Sequence, residues 1–294
     1  MHLLPGGIAV TDPEPSHRVG PQPIDRLRVR RVTTDDIRSA LRAGLSDYLA
    51  RPVLSSSFGI VFVAGGWFIF ASLFYFGQIW MVIPVALGFP LITPFAAAGL
   101  YEMSRRLALG IPFNWRDIYL CIAGQSGKEL GWMAFVVLFV FWLWIYQVRL
   151  LIALFLGLRP FSSLESFVQI VTGTGEGLLF LGIGTIVGAA LASVLFSITV
   201  ISMPLLLDRQ IDFISAMLLS IRTVRLNPVV MLGWGGVIAV LIVMAMVPAL
   251  LGLIVVLPVL GHSTWHIYRS AIEDKSGQNS VGREAIRIPR GKGH

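Results

Sequence analysis

Six apolar runs, at approximately 56–77, 79–101, 130–149, 178–206, 229–248 and 249–268, decide what this chain can fold into. A helix needs about 20 consecutive apolar residues to cross the hydrocarbon core of a bilayer. Lipid offers no partner to a free backbone N–H or C=O, so a spanning segment must be a helix or part of a closed barrel. These runs are continuously apolar, which selects helices. Only 13% of the residues are charged, against about 25% in an ordinary soluble domain. The charge that is present clusters between and outside the runs. The expected fold is an all-α membrane protein with six transmembrane helices, not a soluble enzyme. The last two runs meet at Pro248, where one long broken helix competes with a hairpin.

Orientation follows from the basic residues. The N-terminal region, the loop from Arg105 to Lys128, the loop from Arg209 to Arg225 and the C-terminal tail hold 21 of the 23 Lys and Arg residues. The other side holds only Arg149 and Arg159. With six spans, those four regions fall on one side, which the positive-inside rule makes the cytoplasm. The net charge of +7 therefore points to orientation and anionic lipid, with no nucleic acid as partner. One cysteine, Cys121, allows no internal disulfide and no cysteine metal cluster. The first residues lack the pattern of a cleaved signal peptide. Residues 1–32 and 273–294 are expected to be disordered tails around a transmembrane domain at 33–272.

Three segments that precede a hairpin share a pattern. Asp36-Ile37 is followed at fixed offsets by Ala40 and Leu41, Asp117-Ile118 by Cys121 and Ile122, and Asp212-Phe213 by Ala216 and Met217. Pro52 and Pro228 each follow the aspartate by 16 residues. Ile37, Leu41, Leu45 and Tyr48 form one apolar stripe at helical spacing, and Ile214, Met217, Leu218 and Ile221 form another. Thr34 and Asn114 read as N-caps. The pattern predicts three parallel units, 33–108, 113–210 and 211–272, each an interfacial amphipathic helix followed by two spans. Arg38, Arg42, Arg222 and Arg225 are the expected lipid-headgroup contacts.

Few residues offer chemistry. His262 and His266 lie i, i+4 on one helical face, a spacing able to bind a metal. No third ligand lies nearby, so they read better as interfacial residues beside Trp265 and Tyr268. Gly127-Lys128 lacks the remainder of a phosphate-binding loop. Gly173, Gly175 and Gly177 read as a flexible hinge before the fourth run. The segment from Arg159 to Gly177, with Phe161, Leu164, Phe167 and Val168 on one side, is the longest extracytoplasmic loop. Charge is nearly absent from the runs, whereas an ion-coupled transporter keeps a carboxylate near the midplane. Pro84, Pro90 and Pro94 interrupt the second run and favour kinks. Gly184, Gly188 and Ala192 form a small-residue face suited to close helix contact.

The Asp36-Ile37 helix leading to Arg51-Pro52, the stretch from Pro90 to Arg106, and Pro204-Leu205-Leu206-Leu207-Asp208 with the Ser220–Pro228 region resemble a bacterial family of predicted integral membrane proteins, Domain of Unknown Function 2189. The resemblance spans Val32 to Ile272. It implies a bacterial inner-membrane location and supplies no activity. No catalytic constellation and no cofactor are expected. The reading that follows is a non-enzymatic accessory, assembly or scaffold component that associates with lipids and with another membrane protein or itself. A passive channel or carrier for a small solute or lipid is the alternative.

Overall fold

The computed structural model describes residues 27–75, 79–125, 129–157 and 164–274. Two short strands, β1 (Leu27–Val29) and β2 (Ile272–Asp274), bracket eleven helices among the described residues. These are α1 (Thr34–Ala50), α2 (Pro52–Phe74), α3 (Ile79–Ala108), α4 (Trp115–Gln125), α5 (Glu129–Phe155) and α6 (Leu164–Gly173). They continue as α7 (Gly175–Thr199), α8 (Ser202–Asp208), α9 (Phe213–Leu226), α10 (Pro228–Met246) and α11 (Leu253–Ala271). Each of the six apolar runs lies largely within a helix. Among the described residues, four segments are long and apolar enough to cross a membrane: Pro52–Leu73, Glu129–Phe155, Gly175–Asp208 and Pro228–Met246. In α11 the first half is apolar, but the second half carries His262, Ser263, Thr264, His266 and Arg269.

Local sequence explains where the helices on the basic side begin. Thr33 and Asp36 form a capping box at α1, each side chain bonding the other's backbone N–H. The cap is thus Thr33, one residue before the expected Thr34, because only Thr33 lies three residues before Asp36. Asn114 and Asp117 make the same reciprocal pair at α4, and Asp212 caps α9 through the Ser215 N–H. Helices α1 and α2 are joined by the single residue Arg51 (φ −144°, ψ 61°), and α9 and α10 by Asn227 (φ −130°, ψ 50°). Pro52 and Pro228 follow at the first helical position, where the missing N–H costs nothing.

The core is organised around α11, which packs against α1, α2, α3, α8 and α10, most extensively against α1. Pro258, Leu260, His262, Trp265, Ile267, Tyr268 and Ala271 of α11 are buried. Helix α1 lies across this polar half, with Ala40 and Gly44 buried. A Cβ at Gly44 would lie 2.6 Å from the Ser263 backbone nitrogen and 2.9 Å from its Cα, so the two helix backbones nearly touch. The stripe expected to face lipid is therefore divided. Ile37 and Leu41 pack on the protein core and Tyr48 is half-buried, while Leu45 remains exposed. Helix α9 divides likewise, burying Ala216, Leu219 and Val224 and exposing Ile214 and Leu218.

The competition at Pro248 resolves as a hairpin. Ala249 and Leu250 take consecutive left-handed conformations, φ 52° and 68°. Trp67 Nε1 on α2 donates to the Ala249 carbonyl at 2.8 Å. A left-handed L-residue costs roughly 1–2 kcal/mol, whereas glycine pays mainly in unfolded-state entropy. Ala249 is exposed, so Ala249→Gly should stabilise the protein by about 0.5–1 kcal/mol. Chemical denaturation in detergent micelles checks this, and a loss of stability would show that the turn is unstrained.

Two further expectations are corrected. Residues 27–32 and 273–274 are not tail, because β1 and β2 pair antiparallel with Leu27 opposite Asp274 and Val29 opposite Ile272. Val32 N–H continues the attachment by donating to Asn227 Oδ1 at 2.8 Å, and Asn227 Nδ2 donates to the Arg30 carbonyl at 3.3 Å. The glycines before α7 form a tight corner instead of a loose hinge. Thr174 caps α7 through the Gly177 N–H, and a Cβ at Gly177 would lie 2.6 Å from Val171 Cα of α6. The loop expected from 159 to 177 thus contains α6, and its Phe161 lies outside the described residues.

Candidate functional site: a buried polar centre and an apolar cavity

The two histidines mark a polar centre where α1, α2, α3 and α11 meet. His262 is fully buried, and both ring nitrogens have serine partners: Ser55 Oγ at 3.1 Å from Nε2 and Ser104 Oγ at 2.8 Å from Nδ1. Ser104 gives its single proton to Asp47 Oδ2 at 2.6 Å. Its oxygen therefore accepts from His262 Nδ1–H, and in the neutral ring Nε2 accepts from Ser55. His266 Nε2 lies 2.8 Å from the same Asp47 oxygen. A chain of polar contacts thus runs Ser55–His262–Ser104–Asp47–His266 across four helices. Burial of Asp47 works against its charge. Hydrogen bonds from His266 and Ser104 outweigh that effect and hold the carboxyl below its ordinary value of 3.8.

The serine–histidine–aspartate composition resembles a hydrolase relay only on paper. Ser55, Ser104 and His262 each have no exposed surface, and the serine hydroxyls are engaged by ring nitrogens and a carboxylate. Among the described residues no group of three His, Cys, Asp or Glu side chains is placed to hold a metal ion. What the centre does is register α1 against α2, α3 and α11. A fully satisfied buried network favours one arrangement of helices, because every other arrangement leaves a polar group unpaired.

Smaller polar clusters flank this centre on the same side. Glu102 accepts from Arg105 (2.7 and 2.9 Å) and from Arg106 (2.6 Å). Burial opposes its ionisation, but these two arginines hold its carboxyl below the ordinary carboxylate range. Asp208 accepts from Tyr268 OH at 2.7 Å and lies 3.6 Å from Arg269. Arg38, Arg42, Arg222 and Arg225 are all exposed, with Arg38 paired to Asp35 at 3.4 Å.

Away from the polar centre lies an apolar cavity of about 740 Å³ between α2, α3, α5 and α7. Phe62, Phe141, Trp144, Gly188, Ala192 and Leu195 are among its walls, and among the described wall residues Thr93 is the one with a polar side-chain atom besides Trp144. A second cavity of about 250 Å³ between α5 and α7 shares Trp144 and Gly188 with the first. The expected packing face Gly184, Gly188 and Ala192 therefore borders open space. A Cβ at Gly188 would meet nothing within 4 Å, and one at Gly184 only Leu151 Cδ1 at 3.8 Å. Pro84, Pro90 and Pro94 all lie within α3, where Pro94 is buried; the side chains of Pro84 and Pro90 lie outside the described residues.

Sequence reasoning singled out the two histidines but missed Asp47, Ser55 and Ser104. Serine in an apolar helix is too common to signal anything by itself. Gly44 inside the amphipathic α1 was the available clue, since a mid-helix glycine costs about 1 kcal/mol relative to alanine and usually has a packing reason.

Several helices with membrane-spanning length and composition, packed around a buried core and apolar on their outer surfaces, define an α-helical integral membrane protein. Residues 82–208, from α3 through α8, match the model of the family described as predicted integral membrane protein (DUF2189), the family the sequence resembles. Ser104 and most of the cavity wall fall within that match; Asp47, Ser55 and both histidines fall outside it. No curated protein and no solved structure matches the chain.

Proposed function

We propose that this protein is a non-enzymatic accessory or scaffold component of the bacterial inner membrane, acting by association with another membrane protein, with both ends of the chain in the cytoplasm. The observation that carries this reading is α7: none of the residues in its most apolar stretch is buried within the monomer. Gly182, Ile186 and Ala189 share one exposed face of this helix, and small residues let a neighbouring helix approach closely. The serine–histidine–aspartate centre supports a structural role, since its groups are spent on one another. The matched junctions at Arg51-Pro52 and Asn227-Pro228 favour a repeated unit of interfacial helix and hairpin, and a scaffold built from such units would present the same element more than once. The cavity favours hydrocarbon over a water-soluble solute, so a polar pore gains no support from its walls.

Purification of the full chain from native membranes in a mild detergent tests the proposal. The expected result is a partner at near-equal ratio, lost in Gly182→Trp while the variant chain keeps its own stability, because a Cβ at Gly182 meets nothing within 4 Å. A chain that elutes without a stoichiometric partner would sink the association reading.

A further inference from the structure

We propose that the cavity between α2, α3, α5 and α7 holds one acyl chain of a phospholipid from the surrounding bilayer. Its volume, about 740 Å³, lies within the roughly 300–1,000 Å³ of a ligand pocket. Water is a poor occupant: Phe62, Ile69, Val137, Val140 and Leu191 of the wall give it nothing to bond to, and apolar cavities stay dry or take apolar guests. The helices that form the walls are apolar on their outer surfaces as well, with Phe139, Leu179 and Val194 exposed, so the medium around the cavity is lipid hydrocarbon. Among the described residues, none of the wall is charged. A carboxylate or phosphate therefore has no partner inside, and the headgroup stays at the membrane surface while the chain enters. This fits a phospholipid, whose chain and headgroup are already separated along the membrane normal. The smaller cavity beyond Trp144 and Gly188 is lined by Gln147 and Thr185 as well as apolar side chains, so the wall becomes more polar along α5 in that direction.

The geometry supplies its own blocking variant. A Cβ at Gly188 meets open space, so Gly188→Leu projects a branched side chain from the wall that both cavities share. Ala192→Leu, on the same wall, blocks the larger cavity alone. Gly182→Leu adds the same side chain to α7 where a Cβ also meets nothing, but it lines neither cavity. The full-length protein and the three variants are purified in mild detergent, and each bound lipid is identified by native mass spectrometry and extraction. The expected result is close to one phospholipid per chain for the unaltered protein and Gly182→Leu, and a fall of about tenfold in both cavity variants. Retention of the phospholipid by both cavity variants, its absence from the unaltered protein, or a free fatty acid or isoprenoid in its place would overturn the proposal. The association reading fails separately. Gly182→Trp tests the partner face without touching the cavity, and Gly188→Leu tests the cavity without touching that face.

Discussion

Gly44→Ala is expected to destabilise the protein by about 3 kcal/mol or more, at the upper end of what overpacking a well-filled interior costs. In an exposed helix the same change stabilises by about 1 kcal/mol, so the sign itself is diagnostic. The added methyl would collide with Ser263, whose backbone nitrogen lies 2.6 Å from the position it would occupy. Because backbone is the obstacle, Ser263→Ala should not rescue the variant. Helix α1 must instead lift away from α11, stretching the contacts of Asp47 with Ser104 and His266. Denaturant unfolding of detergent-purified protein, with proteolysis of α1 as a second readout, measures this. An unchanged or improved stability would mean that α1 does not pack on α11 as closely as described.

Asp47→Ala should cost about 3 kcal/mol at neutral pH, since it removes the acceptor of two buried or half-buried donors and leaves the Ser104 hydroxyl proton without its acceptor. The pH dependence has a definite sign. A carboxyl whose folded pKa lies below its unfolded value contributes stability above the unfolded value, here 3.8, and loses it as pH falls through the folded value. The share of the gap that comes from ionisation of Asp47 itself should therefore be full above 3.8 and should shrink as pH falls below it. His266→Ala made on top of Asp47→Ala should cost much less than His266→Ala alone, because the partner is already gone. Additive losses would show that the two side chains are not coupled through this contact.

The sequence revealed much of the secondary structure and little of the centre it builds. The apolar runs predicted helices because bilayer thickness sets a length that soluble helices rarely need. Thr33 with Asp36, Asn114 with Asp117, and the prolines at 52 and 228 signalled helix starts through contacts within a few residues. The polar centre obeys no such local rule. Ser104 reaches Asp47 across 57 residues, and His262 reaches Ser55 across 207. Those pairings depend on which helix packs against which, and periodicity along the chain is silent on that. The reading of His262 as an interfacial residue failed for the same reason, since burial by α1 comes from the other end of the sequence. The face formed by Gly184, Gly188 and Ala192 shows a different limit. Small residues permit a close neighbour, but here they leave room instead of filling it.

The antiparallel pairing of β1 with β2 carries a counting consequence. Backbone hydrogen bonds join residues 27–29 to residues 272–274, so the two ends of the domain must emerge from the same leaflet. A path that starts and finishes on one side crosses a barrier an even number of times. Among the described residues, four segments qualify by length and composition, an even number. Helices α3 and α11 must then be added together or not at all, and a five-crossing topology is incompatible with the ribbon. A three-residue strand pair thereby constrains the parity of everything threaded through it.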